Sequence, residues 1–334
     1  MEAAKCFDRI KDSGHSLSDA VEFYLAHLAL TERSATVEVM AAELMQAKQR
    51  RALSSKHIKT MRYHFKAFGE TFAKRKIATV ARKEIEDWLY ARQLPPASFR
   101  SARTYLAMLF NFAIKQGSAK ANPIKDIELP KAKTKPPGIL TPKGMRSLIA
   151  ECTKHHPDIL PAMLIQGFAG LRREEVERLD WQEVRLDRGH IEVTAENSKT
   201  AQRRLVTIKP NLAKYLATLR KESGPVSPPC YNPCAASLRR LVVKAGHKYP
   251  KNALRHSYAS YHLADCQDAA KTALQLGHKG AGMLFEHYRE LVTPEDAVAW
   301  FAIMPEDVAG GNILSIPSPT KEKPKTASKS KRGL

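Results

Sequence analysis

Between Asn122 and Thr141 the chain carries four prolines among its lysines, two of them in the run Pro136–Pro137–Gly138, and no apolar period that would build a core. A stretch of this kind cannot be the interior of a domain, so the 334 residues are expected to fold as two bodies joined there, each long enough to bury its own core. The expected organisation is an N-terminal extension over 1–15, a helical domain over 16–121, a linker over 122–140, a second domain over 141–305 and a basic disordered tail over 306–334. The tail expectation is compositional: past Pro317 the chain is Lys, Ser, Thr and Pro with scarcely an apolar side chain.

Before the linker the pattern is helical. Val21, Tyr24, Leu25 and Leu28 fall on one stripe, and Phe99, Ala102, Leu106, Leu109, Phe110 and Ala113 on a clearer one. The stretches Val37–Arg51, Ser55–Phe68 and Arg82–Ala91 also suit helices, and Pro95–Pro96 breaks the chain before the last of the set. After the linker, Thr141-Pro142 opens a helix through Met145, Leu148, Ile149 and Cys152, and a strongly apolar stretch runs from Ile159 to Ala169. Two β-branched runs, His190–Thr194 and Arg203–Ile208, flank a polar connection and predict a hairpin. The fold class expected is mainly α with a small β-hairpin or sheet.

Lys and Arg number 55 against 34 Asp and Glu, a formal charge of +21, so a polyanion is the first partner to suspect. Met1–Ser13 is charged, and nowhere does the sequence approach the roughly 18 uncharged residues of a membrane span. A soluble protein of the cytoplasm, lying at the nucleoid and without a membrane partner, is the expectation. Its five cysteines have no paired zinc-type spacing and are expected as free thiols. Cys230 and Cys234 flank Tyr-Asn-Pro, but two further metal ligands at suitable spacing are not evident.

Four separated segments follow in a telling order. They are Gly170-Leu171-Arg172-Arg173-Glu174-Glu175, the hairpin connection with Lys199, Leu254-Arg255-His256, and Leu276-Gly277-His278 followed ten residues later by Tyr288. Each alone is weak; Gly-Leu-Arg opens many helices and Leu-Gly-His is also a common turn. Together, from about Thr141 to Val292, they resemble the catalytic domain of the tyrosine recombinase, or phage integrase, family. The basic helical N-terminal third resembles that family's core-binding domain more loosely.

The resemblance implies roles that phosphodiester chemistry explains. Negative charge builds on the nonbridging oxygens during attack, and two guanidinium forks, Arg172 and Arg255, can hold those oxygens without a metal ion. Arg173 rivals Arg172, which is preferred because it directly follows Gly-Leu. Glu175, three residues on, can orient the Arg172 guanidinium or make an ordinary ion pair. Tyr288 is the implied nucleophile, in Phe285-Glu286-His287-Tyr288-Arg289; a phenol with an ordinary pKa of about 10 needs cations around it to react. Lys199 would protonate the departing 5′-oxygen, and His278 would donate to a nonbridging oxygen. Three residues before the second arginine the family usually has His, whereas this chain has Asn252, whose amide binds a phosphate oxygen but takes no proton. His256 reads as a packing or supporting residue.

The implied activity is site-specific recombination through a 3′-phosphotyrosyl intermediate, with no cofactor and no metal. Its implied partners are double-stranded DNA and further copies of the chain, as a tetramer on DNA, with accessory DNA-bending or directionality proteins possible. Two alternatives remain beside it: a catalytically weak or silent DNA-binding member, and a topoisomerase-like enzyme that relaxes DNA without strand exchange.

Overall fold

The computed structural model describes residues 7–8, 14–51, 53–131, 136–196, 203–278, 280, 282 and 292–308. The chain divides into two compact units, Met1–Thr134 and Lys135–Leu334. The basic tail expected from 306 onward falls almost wholly outside the described residues.

The first unit is helical: α1 (Leu17–Arg33), α2 (Val37–Arg50), α3 (Ser55–Phe72), α4 (Arg82–Ala91) and α5 (Pro96–Lys115). Side-chain caps start three of them, Ser16 Oγ accepting from the Asp19 N–H at 3.1 Å, Thr36 Oγ1 from Val39 at 3.4 Å and Ser54 Oγ from His57 at 3.3 Å. Pro96 stands in the first turn of α5, where its missing N–H costs nothing. Along α3 the residues Ile58, Met61, Phe65, Phe68 and Phe72 are buried, a 3.6-residue period, and Phe68 packs edge-on to Trp88 at 5.2 Å. The opposite face of α3 exposes Lys56, Lys59, Arg62, Tyr63 and Lys66. One expectation changes here: Val21, Tyr24 and Leu25 of α1 are largely exposed. Leu28 of the same stripe is half-buried, and α1 touches the short turn Ile77–Thr79, so the stripe is only partly covered. Ile124 and Ile127, inside the stretch that reads as linker in the sequence, are buried in this core.

The second unit contains α6 (Pro142–His155), α7 (Leu160–Ala169), α8 (Arg173–Val176), β1 (Val184–Arg185), β2 (His190–Val193), β3 (Arg204–Thr207), α9 (Pro210–Leu219), α10 (Tyr231–Lys244), α11 (Ala253–Cys266), α12 (Ala269–Leu276) and α13 (Pro294–Phe301). Every residue of α7 is buried, so it is the central rod, packed against α9 and α11. Trp300 of α13 is buried within the same unit, stacks on Tyr261 at 4.4 Å and donates Nε1–H to the Gly167 carbonyl at 3.3 Å. The hairpin expected from sequence gains a short extra strand, giving an antiparallel sheet of order β1-β2-β3. Ile191 sits opposite both Val184 and Val206, and all three are fully buried; each side chain contributes about 1.5–3 kcal/mol by leaving water. No described helix is long and apolar enough to cross a membrane.

Candidate active site

The Gly-Leu-Arg segment is dictated by packing before any chemistry. Helix α7 ends at Gly170 in the left-handed region, φ +69°, and a Cβ there would lie 2.2 Å from Tyr258 Cδ1, so both the backbone and the neighbouring ring require glycine. Leu171 is fully buried and pins the turn. Arg172 therefore emerges at a fixed point, immediately before α8. The Glu175 carboxylate accepts its backbone N–H at 2.8 Å and its Nη1–H at 2.8 Å.

Leu-Gly-His repeats this logic at the end of α12. Leu276 is buried, Gly277 is left-handed with φ +64°, and a Cβ on Gly277 would come within 3.0 Å of Arg204 Nη1. The carbonyls freed at the two helix ends take up both family arginines. Arg172 Nη2 donates to the Gly277 carbonyl at 2.7 Å; Arg255, from α11, donates to the Leu276 carbonyl at 2.7 Å and to the Gly170 carbonyl. Guanidiniums at helix C-termini satisfy otherwise unpaired carbonyls and sit at the negative end of the dipole.

His278 joins the pair, its Nε2 lying 3.1 Å from Arg255 Nη2. Because a guanidinium only donates, that contact makes Nε2 the acceptor and assigns the ring proton to Nδ1, which is buried and has no partner among the described residues. Burial, and then Arg255, Arg172 and Arg204, push the imidazole down to about 4, with Glu175 opposing, so His278 is neutral at physiological pH.

By sequence alone Arg204 is only a basic neighbour of Lys199. In the structure it grips both oxygens of Glu175, Nη1 to Oε1 at 3.0 Å and Nη2 to Oε2 at 2.6 Å, and donates Nε–H to the Gln275 carbonyl at 3.0 Å. The Glu175 side chain is wholly buried and that of Arg204 is 9% exposed. Burial would raise the Glu175 carboxyl, but hydrogen bonds from Arg204 and Arg172 and their charges hold it below the usual range. A signal was present: Arg204 and Val206 share one face of β3, and an arginine on the buried face of a strand needs a carboxylate. Three guanidiniums against one carboxylate leave two positive charges in excess. Among the described residues Arg172 uses two of its five side-chain N–H donors, so the cluster has donors with which to grip an anion.

Other expected residues lie elsewhere. Arg173 pairs with Glu177 at 3.0 Å on the surface and does not compete with Arg172. His256 is half-buried and its carbonyl accepts from Ser260 Oγ at 3.1 Å. Asn252 is exposed, in the left-handed region at φ 56°, and makes no side-chain cap to α11. Its backbone position admits Asn, His and Gly but penalises β-branched residues. Asn252→Val should therefore be less stable than Asn252→Gly by about 1–2 kcal/mol in a urea melt; equal stabilities would contradict the strain. Lys199 and Tyr288 lie outside the described residues. Cys230 and Cys234 are free thiols, and no group of three His, Cys, Asp or Glu suited to a metal occurs among the described residues.

Residues 139–293, the segment that carries the arginine cluster, match the phage integrase family, and the likeness of this segment is to the tyrosine recombinases. Among curated proteins it resembles the integrase of Escherichia phage 186, 24% identical over 237 residues, spanning 68% of this chain and 69% of that protein. It also resembles the tyrosine recombinase XerC of Xanthomonas axonopodis pv. citri (strain 306), 28% identical over 53% of this chain, and spans only 61% of that relative. Among solved structures, a lambda integrase (75–356) dimer bound to a COC′ core site superposes with TM-score 0.65 at 17% identity, covering 77% of this chain and 98% of that one. The Tn1549 transposon integrase in complex with a circular intermediate DNA gives 0.63 at 18% identity, covering 80% and 98%. At these identities the structural likeness speaks to the fold alone.

Proposed function

We propose that this chain is a site-specific DNA recombinase that breaks and rejoins strands through Tyr288. The observation that carries the reading is the convergence of Arg172, Arg255 and His278 on two glycine-capped helix ends with two positive charges in excess. Phenolate attack on a phosphodiester passes through a dianionic pentacovalent state, and fixed cations of matching charge favour that state over the monoanionic substrate. Arg172 and Arg255 would hold the nonbridging oxygens. The Nδ1–H of His278, without a partner among the described residues, would find an oxygen there. Lys199 would protonate the 5′-oxygen, with Asn252 a supporting amide and His256 a packing residue.

The tyrosines support the choice of nucleophile. In the second unit Tyr215, Tyr231, Tyr249, Tyr258 and Tyr261 all have phenols pushed up chiefly by burial, the wrong direction for a nucleophile. Tyr288 remains. Attack by its oxygen joins it to the 3′-phosphate and releases the 5′-oxygen, which takes a proton; the 5′-hydroxyl of a second strand then reverses the exchange. The phosphotyrosine conserves the bond energy, so this sequence needs neither ATP nor a metal.

The test is a library of duplexes, each nicked beside a randomised cleavage position so that the short leaving fragment diffuses away. A denaturation-resistant protein–DNA adduct mapping to Tyr288 is expected. Binding with no adduct would indicate a silent DNA-binding member, and relaxation of supercoiled plasmid without exchange would indicate a topoisomerase-like enzyme. On this reading the active species is a tetramer on DNA at the nucleoid, open to accessory DNA-bending or directionality proteins, and the first unit supplies further phosphate contacts from the cationic face of α3.

That division of labour predicts steep salt dependence. With 6–10 phosphates neutralised, affinity should fall about 10³–10⁵-fold between 50 and 200 mM salt. A nearly flat plot of log affinity against log salt in a filter-binding titration would exclude it.

A further inference from the structure

We infer that Arg204 is a positioning residue for strand cleavage: it locks the Glu175 carboxylate that holds Arg172, and ties strand β3 to the helix end preceding His278. The inference rests on the recombinase reading above and assigns a part to a side chain that this reading does not use.

The geometry makes Arg204 a junction. Its fork occupies both Glu175 oxygens, and Glu175 in turn receives the Arg172 main-chain N–H and guanidinium. Its Nε–H holds the Gln275 carbonyl, two residues before Gly277, whose own carbonyl receives Arg172 Nη2. Gln275 also closes onto the strand carrying Arg204, its Oε1 accepting the Thr207 N–H at 2.9 Å and its Nε2 donating to Thr207 Oγ1 at 3.2 Å. A Cβ on Gly277 would press on the Arg204 guanidinium at 3.0 Å. One guanidinium thus links the carboxylate behind Arg172 to the helix end that precedes His278.

Arg204 acts through Glu175, because its fork is consumed and its side chain is nearly closed to solvent. The charged groups around Glu175 are Arg204 from β3 and Arg172 ahead of α8, with neutral His278 beyond them and Arg255 of α11 behind His278. Without Arg204 the buried carboxylate keeps one cation, its pKa rises, and protonation releases its grip on Arg172. The sign follows: cleavage should then be lost as pH falls through the raised Glu175 pKa, and recovered above it.

The experiment is single-turnover cleavage of a nicked duplex recovered from the library, across pH, for the full chain and for Arg204→Met, Arg204→Lys and the double variant Arg204→Met with Glu175→Gln. DNA affinity is measured alongside. Arg204→Met should cleave about 10–100-fold more slowly, the range for groups that orient those contacting the reacting atoms. It should gain a new acid limb while DNA affinity stays within about twofold, and the double variant should lose that limb. Arg204→Lys keeps the charge without the fork, so it should slow cleavage about 3–10-fold with no new limb. Parallel carboxyl NMR on ¹³C-glutamate-labelled protein, assigned with Glu175→Gln, follows the Glu175 titration without DNA. Its midpoint should move up in Arg204→Met and not in Arg204→Lys. An unmoved pH profile, or rates that merely track lost thermal stability, would overturn the inference. If Arg204→Met fails to fold, Arg204→Lys cleaving at the unmodified rate overturns it. If the unmodified chain forms no adduct, the recombinase reading fails instead, and an unmoved Glu175 titration overturns the Arg204 inference independently.

Discussion

Tyr288→Phe should abolish the covalent protein–DNA adduct while leaving DNA affinity within about twofold. The substitution deletes one oxygen and keeps a ring of the same shape, so groups that bind DNA by charge and by hydrogen bonds elsewhere are unaffected. The chemistry has no substitute: removal of a nucleophilic hydroxyl costs on the order of 10⁶ in rate. Other phenols of the second unit do not take its place, because Tyr258 and Tyr261 are buried and raised well above the ordinary range. Mass-spectrometric mapping of the trapped adduct decides the matter. A phosphotyrosyl peptide containing residue 258 or 261, or undiminished adduct from the Phe variant, would remove Tyr288 from the mechanism.

The second large effect belongs to a residue with no side chain. Gly170→Ala should destabilise the second unit by about 2–5 kcal/mol. Left-handed backbone costs an L-residue about 1–2 kcal/mol, and a methyl placed 2.2 Å from the Tyr258 ring adds an overpacking cost of about 1–3 kcal/mol. The damage reaches function because the Gly170 carbonyl receives Arg255 Nη1; any shift that relieves the clash moves an acceptor of that guanidinium. Thermal or urea unfolding of Gly170→Ala beside Gly189→Ala gives the comparison. Gly189 is also left-handed, but a methyl added there would meet no atom within 4 Å, so its substitution should cost only the backbone part. Equal losses for the two variants would show that the Tyr258 contact is soft.

Much of this architecture was legible in the residues because the physics there is local. Thr141-Pro142 announced a helix start, the 3.6-residue period of α5 announced a buried face, and Gly-Leu-Arg and Leu-Gly-His stood out through their order along the chain. The misses are nonlocal. β1 is two residues long, too short for any period to reveal. The apolar stripe of α1 reads as a core face, and only the structure shows Val21, Tyr24 and Leu25 largely exposed. Arg204 is separated from Glu175 by 29 positions, and its importance depends on a pairing that no spacing rule encodes. Asn252 could be noticed as a departure from the family's usual histidine, but its left-handed backbone could not be read from the string of residues.

The clasp between Gln275 and Thr207 has one further consequence. β3 is the outermost strand on its side of the sheet, and an open outer strand offers a row of unpaired amides on which another chain can extend the sheet. The Thr207 N–H, which points away from β2, is already taken by Gln275 Oε1, and the helix bearing that amide lies alongside the strand. A side chain that helps frame the arginine cluster thereby also blunts the rim where uncontrolled strand-to-strand aggregation would otherwise start.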